Sequence, residues 1–475
     1  MQPGAAFPLN WPLFKAPLKD GGLNLNLIHW HWVGMYWLAA VFMYFYCREL
    51  ERSRTASLLA ACGFSFGGFV GTVTWPQVLN GAVWTPRIFL FYRRAGRSRT
   101  ALAAAANSAA CGAAIGMALL AGHHQVQMFV ILALTGLFLH DLLAGGHRSR
   151  RLRSFTTAAA FAALVGGLIL APAWEYGSRA YRWVNLPEPV RLNQTIPYIG
   201  HSPYGVAPAS LPAVLTPLEG LLGDPLMGVV AVSLALLGVG SCWRIRAVRV
   251  HACLALAGLA FVVGTYSVFH GLMYALVPFL DKARSASQAL VLFHFGLLVA
   301  AAYGLDSWPE PARWLSRLTR GLAVFAVLAV LLAGTAAVPG RGRPLLFTAA
   351  IAILLAGTLR TRFRAAAVVL LLVELHAGTA RLLRPRSNPQ ALSHLDRMAR
   401  GSVVAQFLRS QPRPFRVDID QTEIPHNFGD WEGLEAAAGY LAFERGLARF
   451  RRPRLGPDAA AAEPRLRGRA GKAAP

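Results

Sequence analysis

The sequence predicts an all-α polytopic membrane protein with about 11–12 transmembrane helices, and three observations predict it. Apolar residues come in repeated blocks of about 17–22, each long enough to cross ~30 Å of hydrocarbon at ~1.5 Å per residue. Hydrophobic residues make up 55% of the 475-residue chain and charged residues only 15%, with a mean hydropathy of +0.43. Arginines cluster in the short connections between the blocks. A transmembrane β-barrel would instead alternate over ~10-residue segments.

Taken in order, strong spans are expected near 27–47, 56–74, 102–121, 125–144, 155–173, 226–243, 250–267, 286–304, 320–338, 344–359 and 364–379. A weaker segment at 77–92 contains Pro86 and Arg87 and reads as a broken or re-entrant helix. The connections RELERSR, WRIRAVR, PARWLSRLTR and RTRFR carry three Lys or Arg each, and RRAGRSR and HRSRRLR four each. They share one side only if 77–92 crosses. Lys and Arg concentrate on the cytoplasmic side, so that side is expected to be cytoplasmic. The net charge of +25 is thereby topology, and no nucleic-acid partner is implied. The five cysteines lie in or beside apolar blocks, show no metal-binding spacing and read as small core residues.

The expected organisation is an extracytoplasmic loop remnant at 1–26 and a helical domain at 27–379 with an outer loop at 174–225. A small extracytoplasmic α+β segment follows at 380–443, then an Arg/Ala/Pro-rich tail at 444–475 expected to be disordered. MQPGAAFPLNWPLF lacks the basic and apolar regions of a cleavable signal and looks like the interior of an outer loop. A first helix and much of a first outer loop are therefore expected to precede it.

Several separated segments resemble the bacterial YfhO-like membrane proteins: FPLNWPLF, WPQVLNGAVWTPRIFLFYRR, LLAGHHQVQ, DKARSASQALVLFHFGLLVAAAYGLD and PFRVDIDQTEIPHNFGDWEGLEAAAGY. The resemblance spans roughly residues 5–440. It implies a GT-C type fold and transfer of a sugar from a polyprenyl-phosphate carrier to an envelope glycan or teichoic-acid-type acceptor. It also implies a catalytic acid in the first outer loop. Asp20 is the acid that precedes the first span here, and Glu175, at the interface in APAWEY, is a second weak candidate.

Such a transfer needs a carboxylate to orient or deprotonate the acceptor hydroxyl. It also needs cations, or a divalent metal in their place, to hold the departing phosphate. Lys282 and Arg284 precede a span on the arginine-poor side and are candidates for the phosphate; Arg87 in the weak segment is another. Ordinary snorkelling is the competing reading for all three. His123 and His124 are adjacent and share no helix face, so a metal site is not implied. Gly122 suits a helix C′ position, making LLAGHHQVQ mainly a wet turn in which His123 and Gln125, with Trp75, could line a substrate site. Glu374 is an intramembrane acid, either functional or hydrogen-bonded to a neighbouring helix. Asp281 is expected to pair with Lys282. Against the transferase stand a lipid-linked-glycan flippase and a non-catalytic envelope scaffold.

Overall fold

The computed structural model describes residues 4–17, 24–144, 148–182, 184, 189–217, 224–308, 312–334, 342–359, 361, 363–383, 401–412, 417, 429, 432–435 and 443–444. Asp20 and the tail beyond residue 444 lie outside these. The chain divides into two compact units. One comprises residues 1–172 and 197–387, the other residues 173–196 and 388–475.

The larger unit is the helical one. Its elements are α1 (Trp11–Lys15), α2 (Leu25–Glu49), α3 (Arg54–Phe66), α4 (Gly68–Thr72), α5 (Pro76–Ala82), α6 (Thr85–Arg97), α7 (Ala101–Leu120), α8 (Gln125–Leu143) and most of α9 (Arg148–Arg179). After the loop come α10 (Gly228–Cys242), α11 (Arg246–Val262), the short α12 (Val268–Leu276), α13 (Leu290–Ser307), α14 (Ala312–Ala333), α15 (Gly342–Thr358) and α16 (Arg364–Leu383). Among the described residues, six helices are long and apolar enough to cross a membrane. The protein is an all-α, multi-span membrane protein. Ranges differ from expectation mainly where arginine-bearing connections wind into helix. HRSRRLR becomes the start of α9 and ARWLSRLTR the start of α14. Arg is a good helix former and its long side chain reaches away from the axis, so it does not end a helix as Gly or Pro would.

Contacts sort the helix ends into two sets. At one end Arg94 pairs with Glu49 at 2.9 Å, Arg97 with Glu51 at 3.4 Å, and Arg246 with Asp141. Arg150 donates to the Ser98 carbonyl. Asp306 at the foot of α13 pairs with Arg52 at 3.3 Å and accepts from the Ser53 backbone N–H at 2.9 Å. Arg364 at the start of α16 lies 3.9 Å from Asp306 and donates to the Trp308 carbonyl. The arginine-rich connections thus gather at one end.

The other end holds Trp75 against His123, and Asn80 donating to Asn10 at 3.0 Å. The 76–97 segment therefore runs from one end to the other. It is broken at Val83–Trp84, with Pro76 and Pro86 each in the first turn of its half, where proline's missing N–H is harmless.

α13 is the central helix, buried along nearly its whole length. It packs on α10 by backbone approach: a Cβ on Gly304 would overlap the Leu234 carbonyl, and one on Gly238 the Ala300 carbonyl. Membrane helices associate by such small-residue contacts, because lipid tails give no hydrophobic drive between them. Gly304→Ala is expected to cost about 1–3 kcal/mol by overpacking, read as a lower melting temperature in detergent, whereas Gly136→Ala, facing open space, leaves it unchanged.

The smaller unit joins the beginning of the 174–225 loop to the C-terminal region, so that loop is split at residue 197. β1 (Ala180–Tyr181) pairs antiparallel with β2 (Phe443–Glu444). Arg182 and Val190 form a bridge. α17 (Ser402–Arg409) ends on Arg409, which grips Glu432 at 2.6 Å. The Val417 N–H donates to the Glu435 carbonyl at 2.8 Å.

Candidate functional site at the arginine-poor end

Two 3₁₀ segments face each other at the arginine-poor end: Tyr198–Tyr204 in the long loop and Leu280–Lys282 before α13. In a 3₁₀ turn, residues three apart eclipse. His201 and Tyr204 therefore point the same way, toward the stretch that runs from Asp281 to Arg284. They meet as two rungs. His201 Nε2 lies 3.0 Å from the Asp281 carbonyl oxygen, and the Arg284 guanidinium sits 4.9 Å from the Tyr204 ring centre. A carbonyl only accepts, so His201 carries its proton on Nε2 and a lone pair on Nδ1.

Arg284 Nε and Nη1 are buried with no hydrogen-bond partner among the described residues. Lys282 pairs with Asp281 at 2.6 Å, as expected from the sequence. An arginine with two shielded, unsatisfied donors is costly unless something anionic completes it. A phosphate matches its fork.

α12 lies over this pair. His270 Nδ1 is 3.2 Å from the Tyr198 hydroxyl, and Tyr274 packs edge-on to His201 with ring centres 5.3 Å apart. Burial holds the His201 imidazole below its ordinary pKa, and the Arg284 charge adds to this. Burial, with His201 beside it, pushes His270 down to about 4. Val268, Leu272 and Leu276, four residues apart, are exposed on the opposite face of α12, and Phe279 continues the apolar strip. α12 is bracketed by left-handed residues, Gly264 at φ 65° and Phe279 at φ 65°. For phenylalanine that conformation costs about 1–2 kcal/mol, so the loop stores strain beside the site.

The other expected residues fall as follows. His123 and Trp75 come together, ring centres 6.0 Å apart in an edge contact. Gly122 has φ 90°, the left-handed C′ conformation its place after α7 called for. Gln125 opens α8, and α8 packs against the 3₁₀ turn Ala286–Ala289 that follows Arg284. Arg87 stands apart from Lys282 and Arg284: its guanidinium lies 4.8 Å from the Phe42 ring centre and 5.3 Å from that of Phe91. That is a cation on aromatic faces within the bundle. Glu175 pairs with Arg179 at 3.1 Å in the last turns of α9 and belongs to the other unit.

Glu374 has a definite role. Its Oε1 and Oε2 accept from the backbone N–H groups of Val229 and Val230, at 2.6 and 3.1 Å. It caps the N-terminus of α10 from α16, the hydrogen-bonding one of its two readings. Among the described residues no group of three His, Cys, Asp or Glu is placed to hold a metal. Sequence reasoning missed His201, Tyr204, His270 and Tyr274. The signal was the density of His and Tyr in YIGHSPY and FHGLMY, two outer loops 70 residues apart.

No family model matches this sequence, and no curated protein matches it. Among solved structures the chain is similar to the crystal structure of ArnT from Cupriavidus metallidurans bound to undecaprenyl phosphate. The two share 13% identity over 86% of this chain and 71% of that one, with a TM-score of 0.38.

Proposed function

We propose that the protein is a GT-C type glycosyltransferase that takes a sugar from a polyprenyl-phosphate carrier at the extracytoplasmic face of a bacterial inner membrane. The observation that carries this reading is Arg284. At the arginine-poor end of a multi-span bundle, two of its guanidinium nitrogens are buried without partners. A phosphate there meets the cation directly, and Lys282 adds charge nearby. The exposed strip Val268, Leu272, Leu276 and Phe279 offers an apolar surface beside that cation, suited to a long isoprenoid tail. Trp75 and His123 line the same end of the bundle. The positive-inside rule makes the arginine-rich end cytoplasmic, and hence puts the site outside. An envelope glycan on that side is the acceptor class.

The experiment uses the full chain in oriented vesicles with a panel of radiolabelled polyprenyl-phosphate hexoses, hexosamines and pentoses, and envelope membranes as acceptor source. Transfer of label is the expected result. Lipid movement across the bilayer without transfer would make the protein a flippase, and neither would make it a scaffold. Cysteine labelling at positions 200 and 284 from the cytoplasmic side alone would reverse the orientation.

A further inference from the structure

His201 is 1% exposed, and its Nδ1 has no hydrogen-bond partner among the described residues. The contact of Nε2 with the Asp281 carbonyl fixes the tautomer, so a lone pair, rather than a proton, lies on Nδ1. A buried acceptor without a donor is as unusual as the buried donors of Arg284, and the two belong to adjacent rungs of one ladder. Side by side they offer what one ligand would complete: N–H groups for an anionic oxygen and a lone pair for a hydroxyl proton. The carbonyl behind the ring stabilises the imidazolium that would form, because Nε2–H keeps its acceptor while Nδ1 gains a proton.

We propose that His201 is the general base of the transfer, taking the proton of the attacking hydroxyl beside the phosphate held by Arg284. This rests on the transferase reading above. The acceptor oxygen bonds to the anomeric carbon and its proton passes to Nδ1. The bond from the anomeric carbon to the phosphate oxygen breaks, and its electron pair leaves on the phosphate against Arg284. The departing negative charge offsets the new positive charge on His201.

The groups facing His201 are Asp281, Arg284, His270, Tyr198 and Tyr274. Burial and Arg284 hold the imidazole below 6.5, so the free base persists at neutral pH. Activity is therefore lost only at a pH below the ordinary imidazole range, as Nδ1 becomes protonated.

The test measures two quantities on the full chain in lipid nanodiscs: binding of undecaprenyl phosphate, and turnover of whichever polyprenyl-phosphate sugar the wild type uses. His201→Gln and His201→Phe are compared with the wild type, each checked by its melting profile. The expected result is undecaprenyl-phosphate binding within about threefold of wild type and turnover lower by about 100- to 10,000-fold, with the acid limb of the pH profile gone. A His201→Gln protein that melts normally and turns over at the wild-type rate, or keeps the wild-type acid limb, overturns the base assignment and leaves the transferase reading standing. A wild type that binds and uses no donor overturns both.

Discussion

Arg284→Ala is expected to weaken undecaprenyl-phosphate binding by about 100- to 10,000-fold. Each hydrogen bond to a charged group contributes about 1.5–3 kcal/mol, and about 1.4 kcal/mol is tenfold in affinity. Two buried donors without partners, Nε and Nη1, are the ones a phosphate would engage. Arg284→Lys restores a charge without the fork, so it recovers part of the affinity. Lys282→Ala loses less, because Lys282 is already engaged by Asp281 at 2.6 Å. The measurement is a titration of the nanodisc-embedded chain, with undecaprenol as the uncharged control. Equal affinity of wild type and Arg284→Ala would remove the phosphate site.

The second large effect is structural. Glu374→Ala takes both acceptors from the start of α10 and leaves the Val229 and Val230 N–H groups buried without partners. Each such group costs about 1–3 kcal/mol, for a combined loss of about 2–6 kcal/mol. Glu374→Gln keeps one acceptor oxygen and is expected to lose roughly half as much. Gly228→Ala breaks the same cap from the other side. Gly228 has φ 78°, which alanine adopts poorly, and a Cβ there would overlap the Glu374 carboxyl. Because both changes destroy one contact, the double variant is expected to melt close to the worse single one, a non-additive outcome. Normal melting with abolished transfer in Glu374→Gln would instead mark a residue of the reaction.

Most of the helical architecture was readable because the membrane simplifies the code. A span needs ~20 apolar residues and little else, so block length located α7, α8, α10 and α13 to within a few residues. Arginine placement ordered the connections, and the ion pairs Arg94–Glu49 and Arg52–Asp306 join the loops it grouped. Gly122 was legible because a helix stop followed by glycine has one common geometry. The functional end was half legible. Lys282 and Arg284 stood out as cations on the wrong side of the charge rule, but nothing local told His201 from any other loop histidine. Its meaning comes from a contact 80 residues away in sequence with the Asp281 carbonyl. The division of the 174–225 loop between two units was hidden for the same reason, since β1 finds its partner in Phe443–Glu444. Glu374 was visible as an anomaly, and only the position of the α10 N-terminus told which of its two readings applied.

Asp306 touches both Arg52 and Arg364, and these three positions are spread over most of the helical region. During translation the hairpin of α2 and α3 emerges early, yet its anchor at Asp306 is made some 250 residues later, and Arg364 later still. That turn is fastened early through Glu49 to Arg94, while its contact with Asp306 waits until most of these helices have left the ribosome. Long-range closure of this kind is slow, so a nascent chain arrested before residue 306 would hold the turn through Glu49 and Glu51 alone and leave Arg52 open to proteolysis.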